Sequence, residues 1–371
     1  MSRFTIKKQD GRARLGSYLT DHGAFETPNF MPVGTQGTVK GIDCGRLVET
    51  GAQILLVNTY HLWLRPGEEI VRGLGGIHKF MNWGGPVLSD SGGFQVFSLS
   101  KIRTITEEGI KFRSHIDGSE LLLTPEKSIQ IQQALGVDIA MVLDECPKAE
   151  STYEEFRSSL ELTKRWAKRC LVLKERESMF GITQGGFYKD LRTESAQFIG
   201  EQPFDGCAIG GLSVGEPQEV MYEVLSYHPE QLPKDKIRYL MGVGTPLDLI
   251  TAVSNGVDLF DCVMPTRSGR FGRAFVSGPE PTINIRNARF IRDPEPLDPN
   301  CSCLACKSYS KGYIHHLFRA DEMLGPILLS LHNTTFYQSF MKSIREAILT
   351  GCLEALLKAE QARWVAVGNL A

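Results

Sequence analysis

Two aspartates stand where carboxylates are expensive. Asp90 follows the apolar run in PVLSDSGG, and Asp261 closes the apolar run in VDLFDCVMP, which already holds a first acid, Asp258. A carboxylate in or at the end of a buried strand costs free energy unless it is paired or takes part in chemistry. Two carboxyls facing one cavity can divide a displacement at a sugar's anomeric carbon. One stays ionised and attacks; the other gives and takes the proton at the leaving group. Beside Asp90, the Ser91-Gly92-Gly93 turn would let a ligand approach the backbone, and Phe94 would offer a flat stacking face. Capping that turn is the alternative use of Asp90.

Other residues suit a flat heterocycle. Asp144, in VLDEC, could accept from an N–H–C–NH2 edge such as that of guanine, and Gln184, in ITQGG, could add amide contacts. GGLSVGE, Gly210 to Glu216, offers bare backbone N–H and C=O groups. A third kind of chemistry lies in CSCLAC, where Cys301, Cys303 and Cys306 can converge on one tetrahedral Zn2+. A fourth ligand is needed; His315, His316, His332 and Cys352 are the candidates, and spacing does not choose among them. With all four positions taken by protein, such a zinc is structural.

These residues need elements to hold them. Eight short apolar runs end in polar or glycine-rich residues: PNFMPVGTQG, AQILLVNTYH, PVLSDSGG, VDIAMVLDEC, SMFGITQGG, DGCAIGGLSVGE, IRYLMGVGTP and VDLFDCVMP. Near-continuous apolar runs suit parallel strands buried on both faces. Helical spacing between many of them, as in EEFRSSLELTKRWAKRCLVLKE, points to a (β/α)8 TIM barrel. Asn58, Asp90, Asp144, Gln184, Gly210-Gly211, Met241-Gly242 and Asp261 then share the carboxyl ends of the strands, where such barrels carry their active sites.

Two segments read as β-hairpin decorations: the N-terminal meander, with turns at Asp10-Gly11 and His22-Gly23, and Lys101 to Leu123, with a turn at Asp117-Gly118. We expect a catalytic barrel over 1–293, and over 294–371 a zinc-binding subdomain with C-terminal helices packed on it.

The 371 residues carry a formal net charge of −2. A nucleic-acid partner must therefore be met by a local basic patch. Arg267, Arg270, Arg273, Arg286, Arg289 and Arg292 supply one, six arginines within 26 residues, and the helix TKRWAKRCLVLKER either adds to it or is simply an exposed basic face. An odd count of nine cysteines, six of them scattered, without a secretory signal reads as a reducing cytoplasm, and the lack of a long apolar run speaks against a membrane span.

SDSGGFQ, DEC, GITQGG, GGLSVGE, YLMGVG, DCVMPTRSGR and the CSCLAC…His332 set closely resemble the bacterial tRNA-guanine transglycosylase (queuine tRNA-ribosyltransferase) family. The resemblance runs from about Phe4 to the C-terminal helices. It implies exchange of guanine at the anticodon wobble position, position 34, of U-G-U tRNAs for a 7-deazaguanine base, in queuosine modification. By this likeness Asp261 is the nucleophile and Asp90 the general acid/base. Asp144, Gln184, Gly211 and Leu212 recognise the base, between Phe94 and Met241, with Glu216 supporting the Leu212 backbone. Arg267 and Arg270 contact the U-G-U, and Cys301, Cys303, Cys306 and His332 hold zinc. It also implies a homodimer meeting near Tyr309, Tyr313 and His316. Cys146 and Val214 resemble the bacterial pattern, which favours 7-aminomethyl-7-deazaguanine over queuine as the incoming base. A two-carboxylate nucleoside hydrolase and a non-catalytic tRNA-binding subunit are the competing readings; the first leaves the arginines and cysteines idle, and the second leaves the aspartates so.

Overall fold

The eight apolar runs build one continuous parallel sheet. In the computed structural model, which describes residues 3–99 and 103–365, Pro32 divides the first run into strands Asn29–Met31 and Val33–Gly34. Asn29–Met31 pairs with the last strand, Leu259–Asp261, while Val33–Gly34 pairs with Leu55–Val57. Between them follow Val87–Ser89, Ile139–Met141, Ser178–Thr183, Gly206–Ile209 and Ile237–Leu240, each parallel to its neighbours. The sheet thereby returns to its own start as the expected barrel. Its strands are buried almost throughout, which is why they read as unbroken apolar runs. Where two neighbours would compete for space, one is glycine: a Cβ on Gly206 would sit 2.6 Å from the Phe180 ring.

Helices follow the strands, started by side-chain caps. Thr124 accepts from Lys127 N ahead of Pro125–Leu135, and Thr245 from Asp248 N ahead of Pro246–Ser254. Thr152 and Glu155 form a reciprocal capping box on Tyr153–Val172.

The decorations fall where expected. Phe4–Asp10, Ala13–Thr20 and Gly23–Thr27 form an antiparallel meander, its first turn lying on Gly11-Arg12, one residue late, and its second on Asp21-His22, one residue early. It covers the amino end of the barrel, where Tyr18 donates to Ser178 Oγ at 2.9 Å. Arg103–Ile105, Ile110–Arg113 and Glu120–Leu123 form a second antiparallel sheet, turning at Asp117-Gly118; Lys101 and Ile102 lie outside the described residues.

Asp258, the first acid of the last run, is a structural pair. It is fully buried, receives Arg14 Nε at 3.0 Å and the Arg238 backbone N–H at 2.7 Å, and forms an ion pair with Arg14 NH2. Arg14 belongs to the meander, so this bridge fastens that cover to the barrel.

A second apolar core gathers Ala274, Val276, Ile283, Ile285, Phe290, Ile314 and Leu328. It takes in a hairpin, Arg273–Phe275 with Thr282–Asn284, that precedes the proline-rich segment. The helix Leu324–Thr350 serves both cores: Leu328 and Leu329 pack into the small one, and Tyr337, Met341, Ile344 and Ile348 into the main one. Burying each such side chain contributes roughly 1.5–3 kcal/mol. Gln338 Nε2 and Arg345 NH1 also donate to Phe30 O and Pro28 O, at 2.9 and 2.8 Å, beside the first strand.

Candidate active site and metal centre

Asp261 is the last residue of strand Leu259–Asp261. Tyr239 Oη donates to its Oδ1 at 2.6 Å and Gly242 N at 2.8 Å; among the described residues Oδ2 receives no hydrogen bond. Burial raises its pKa, and these two bonds work against the rise. Asp90 lies one residue past strand Val87–Ser89 and is buried. It accepts from Thr59 N at 2.9 Å and from Asn58 Nδ2. Burial pushes its carboxyl up to about 6 despite those donors, and the nearby charge of Asp261 pushes the same way. The two carboxyls thus share one end of the barrel and one electrostatic environment.

The turn after Asp90 is shaped by what it must pass. Gly92 has φ +85°, and a Cβ there would lie 3.2 Å from Tyr60 N. A Cβ on Gly93 would meet Leu143 Cδ1 at 3.0 Å and Asp144 O at 3.2 Å, so the turn lies against the next strand's end. Ser91 Oγ accepts from Gly93 N at 3.3 Å. Phe94 then projects with 49% of its surface exposed, lining with Gly93, Asp144 and Cys146 a recess at the mouth of the barrel.

Asp144 receives Gln184 Nε2 at 2.7 Å, and burial pushes its carboxyl up to about 6 against that bond. Gln184 is buried, with Oε1 lacking a partner among the described residues. Gly211, φ +68°, would place a Cβ 2.5 Å from that Oε1, so a side chain here is excluded. Arg192, fully buried, donates to Gly186 O at 2.7 Å and Gly211 O at 3.3 Å, bracing both glycine loops. Glu216 accepts from Ser213 N and, at 2.9 Å, from Val214 N. Ser213 has φ +59°, a conformation that carries strain for a non-glycine residue, and Glu216 holds it there. The Leu212–Ser213 peptide is thus oriented by Glu216, and Leu212 itself is buried. Met241 is half-buried, its N–H on Ile209 O at 3.4 Å.

Cys146 and Cys262 adjoin these carboxyls, and burial pushes both thiols up to about 12. They stay protonated and offer no thiolate nucleophile.

Sequence reasoning overlooked Tyr239 and Arg192 and used Asn58 only as a strand end. A tyrosine or arginine inside an element signals nothing by type; only register, two residues before Met241 in the case of Tyr239, points inward.

The arginines divide. Arg267 and Arg270 lie on the helix Met264–Arg270 directly after Asp261 and, among the described residues, form no ion pair. Arg270 NH1 is buried and without a partner among the described residues, and burial together with the Arg267 charge lowers its pKa. Arg289 is neutralised by Glu280. The basic helix is largely neutralised too, with Arg165 on Glu107, Arg169 on Glu126 and Lys164 on Glu194. It is a paired face and not an open one.

Cys301, Cys303, Cys306 and His332 bring their ligand atoms within 4.8 Å of one another. His332 Nδ1 lies 3.6 Å from Cys303 Sγ and 3.2 Å from Cys306 Sγ, and its Nε2 donates to Phe275 O at 2.7 Å. That outer bond fixes the tautomer a metal needs. Of the other candidates, His315 is held on Ile285 O, His316 is exposed and Cys352 bonds Thr350 O. Crowding makes the thiols share protons: hydrogen bonds with Cys301 and Cys306 lower the Cys303 thiol, while those with Cys301 and Cys303 push Cys306 up. A dication relieves that competition, so the donor set fits a metal ion.

Residues 9–365 match the family model described as "Queuine tRNA-ribosyltransferase". This chain belongs to the queuine tRNA-ribosyltransferase family. Curated relatives of that name lie close to it. One from Shewanella sp. (strain ANA-3) is 53% identical over 360 residues, covering 96% of each chain. One from Rickettsia bellii (strain OSU 85-389) is 54% identical, covering 94% of this chain and 97% of its own. One from Vibrio cholerae serotype O1 (strain M66-2) is 53% identical, covering 93% and 92%. As a queuine tRNA-ribosyltransferase family member the chain is a glycosyltransferase, and among the described residues no helix is long and apolar enough to cross a membrane.

Proposed function

We propose that this enzyme exchanges guanine at the wobble position of U-G-U tRNAs for a 7-deazaguanine base through a covalent enzyme–RNA intermediate. The observation that carries the reading is the pairing of Asp90 and Asp261 at one barrel mouth beside the Asp144–Gln184–Gly211 constellation.

Asp261 Oδ2 attacks the ribose C1′ while the C1′–N9 bond of guanine breaks. The electron pair passes to guanine, and Asp90, with a carboxyl near pKa 6, supplies the proton. In the second displacement Asp90 takes the N9 proton of the incoming base, that base attacks C1′, and Asp261 leaves as carboxylate. Tyr239 and Gly242 stabilise the departing charge. Two inversions retain configuration.

Ionised Asp144 accepts from the base's N1–H and exocyclic amine, the orphan amide of Gln184 and the Gly211 backbone serve its other edge, and Phe94 and Met241 sandwich the ring. The target base must leave its stack to enter. A Leu212–Ser213 peptide fixed by Glu216 has a carbonyl that would suit a cationic aminomethyl group, which supports 7-aminomethyl-7-deazaguanine over queuine. Arg267 and Arg270, without acidic partners among the described residues, bind the anticodon loop. The cysteine cluster holds structural Zn2+, and the stacked, part-exposed Tyr309 and Tyr313 with His316 form part of a homodimer contact.

A base-exchange assay with labelled guanine and tRNA tests the reading, with Asp261→Ala as control. We expect incorporation by the wild type and no covalent adduct with the variant. Guanine release without incorporation, or a variant that still traps tRNA, would refute it. Competition between the two incoming bases decides the remaining choice.

A further inference from the structure

Phe271 caps the carboxyl end of the helix Met264–Arg270, which follows Asp261, and 69% of its surface is exposed. Its backbone N–H donates to Arg267 O at 3.3 Å, as that of Arg267 donates to Val263 O at 2.8 Å. Val263, Arg267 and Phe271, four residues apart, therefore share one helical face, and all three are exposed. The opposite face is fastened. Asn333 Nδ2 donates to Pro265 O at 2.9 Å and Ser330 Oγ to Thr266 O at 3.4 Å, and a Cβ on Gly269 would lie 2.7 Å from Ser330 N. The long helix Leu324–Thr350 thus holds the short one by its back and turns the stripe to solvent.

A single exposed phenylalanine needs no explanation; its surroundings here supply one. Among the described residues the ring joins neither apolar core. Arg267, Arg270 and Arg273 flank it in sequence. Arg286 lies beside its neighbour, since a Cβ on Gly272 would meet Arg286 Cγ at 3.2 Å. Arg289 is taken by Glu280, but among the described residues these four guanidinia have no acidic partner. Arg286 rests instead over the Phe318 ring, 5.1 Å from its centroid. Guanidinia free of acids suit phosphates, and an open ring between them suits the face of an unstacked base. The stripe begins beside Asp261 and runs about 12 Å along the helix to Phe271. That distance sets the ring clear of the exchanged nucleotide and alongside its neighbours in the strand.

We propose that Phe271 is a stacking platform for an unpaired base of the anticodon loop, one that neighbours the exchanged guanine, with the surrounding arginines on its phosphates. The assignment rests on the reading of this enzyme as one that acts on tRNA. A guanine that leaves its stack deprives the adjoining base of a partner, and the ring replaces it. Phe271 positions RNA and touches no reacting atom.

A U-G-U anticodon stem-loop RNA serves as the probe. Phe271→Ala and Phe271→Leu should each weaken its binding roughly 5- to 100-fold, whereas Phe271→Trp should keep it. Salt separates ring from charge: the slope of log affinity against log salt should stay in Phe271→Ala and fall by about one in Arg267→Ala. Abasic nucleotides placed one at a time through the loop then locate the partner, because at the stacked position Phe271→Ala should cost nothing further. The ring is exposed, so Tm should not move. A Phe271→Ala protein that binds the stem-loop as tightly as wild type, or a loss that persists at every abasic position, would overturn the platform alone. Wild type that does not bind the stem-loop would overturn the tRNA reading along with it.

Discussion

Asp144 and Asp90 hold protons up to a pH near 6 because the barrel mouth strips water from them and returns too few donors. For Asp144 the sign of the consequence is set by its proposed task. Only the ionised carboxylate accepts two N–H groups, so guanine affinity should be full well above pH 6 and fall up to about tenfold per unit below it. Asp144→Asn should lose roughly 100-fold in affinity at pH 8 and flatten the profile. Calorimetric titration of free guanine across that range checks both; an unchanged profile in the variant would remove Asp144 from base recognition. At this scale the sequence was legible where type and place conflicted. An acid or amide ending an apolar run is conspicuous, as with Asp90, Asp144, Gln184 and Asp261. Tyr239 and Arg192 conflict with nothing: a tyrosine in a strand reads as core, and an arginine in Lys189–Glu201 reads as surface.

At the scale of elements, the last apolar run carries two acids three residues apart with opposite fates, Asp258 just before the strand and Asp261 at its end. Asp261 opens onto the site, while Asp258 is closed off by Arg14 and the Arg238 backbone. Arg14→Ala should destabilise by about 3–5 kcal/mol, because it leaves a charge buried and unpaired. Replacing both partners, as Arg14→Met with Asp258→Leu, should recover much of that loss. Urea unfolding of the single and double variants measures it, and additive losses would deny the coupling. The strands were legible because parallel pairing buries both faces. The pairing of the basic helix was not, since Arg165 finds Glu107 and Lys164 finds Glu194 across separations that no local pattern carries. The hairpin at Arg273–Phe275, short and interrupted by glycine and proline, likewise gave no period to read.

Across the whole molecule, the cysteine cluster stands on the small core, and the helix Leu324–Thr350 joins that core to the barrel. Chelating the ion proposed for it should lower Tm by roughly 10 °C or more and speed hydrogen exchange over 273–329 before the barrel strands. Scanning calorimetry with exchange mass spectrometry follows both; an unchanged Tm and exchange pattern would mean that the four ligands stabilise the fold without an ion. The barrel core was foreseeable from the sequence, but the helix it shares with the small core was not, because its apolar residues point to two partners in turn.

The first strand has a consequence for how the chain is made. Asn29–Met31 waits for Leu259–Asp261, and Phe30 O and Pro28 O for donors on Gln338 and Arg345. A ribosome must therefore deliver some 230 further residues before the seam can zip, and about 80 more before it is stitched. Through most of synthesis the nascent sheet presents two open edges. Contacts this distant in sequence form late and leave the growing chain prone to wrong partners. Premature termination upstream of Leu259 yields an unclosed sheet, suited to chaperone capture and not to partial activity.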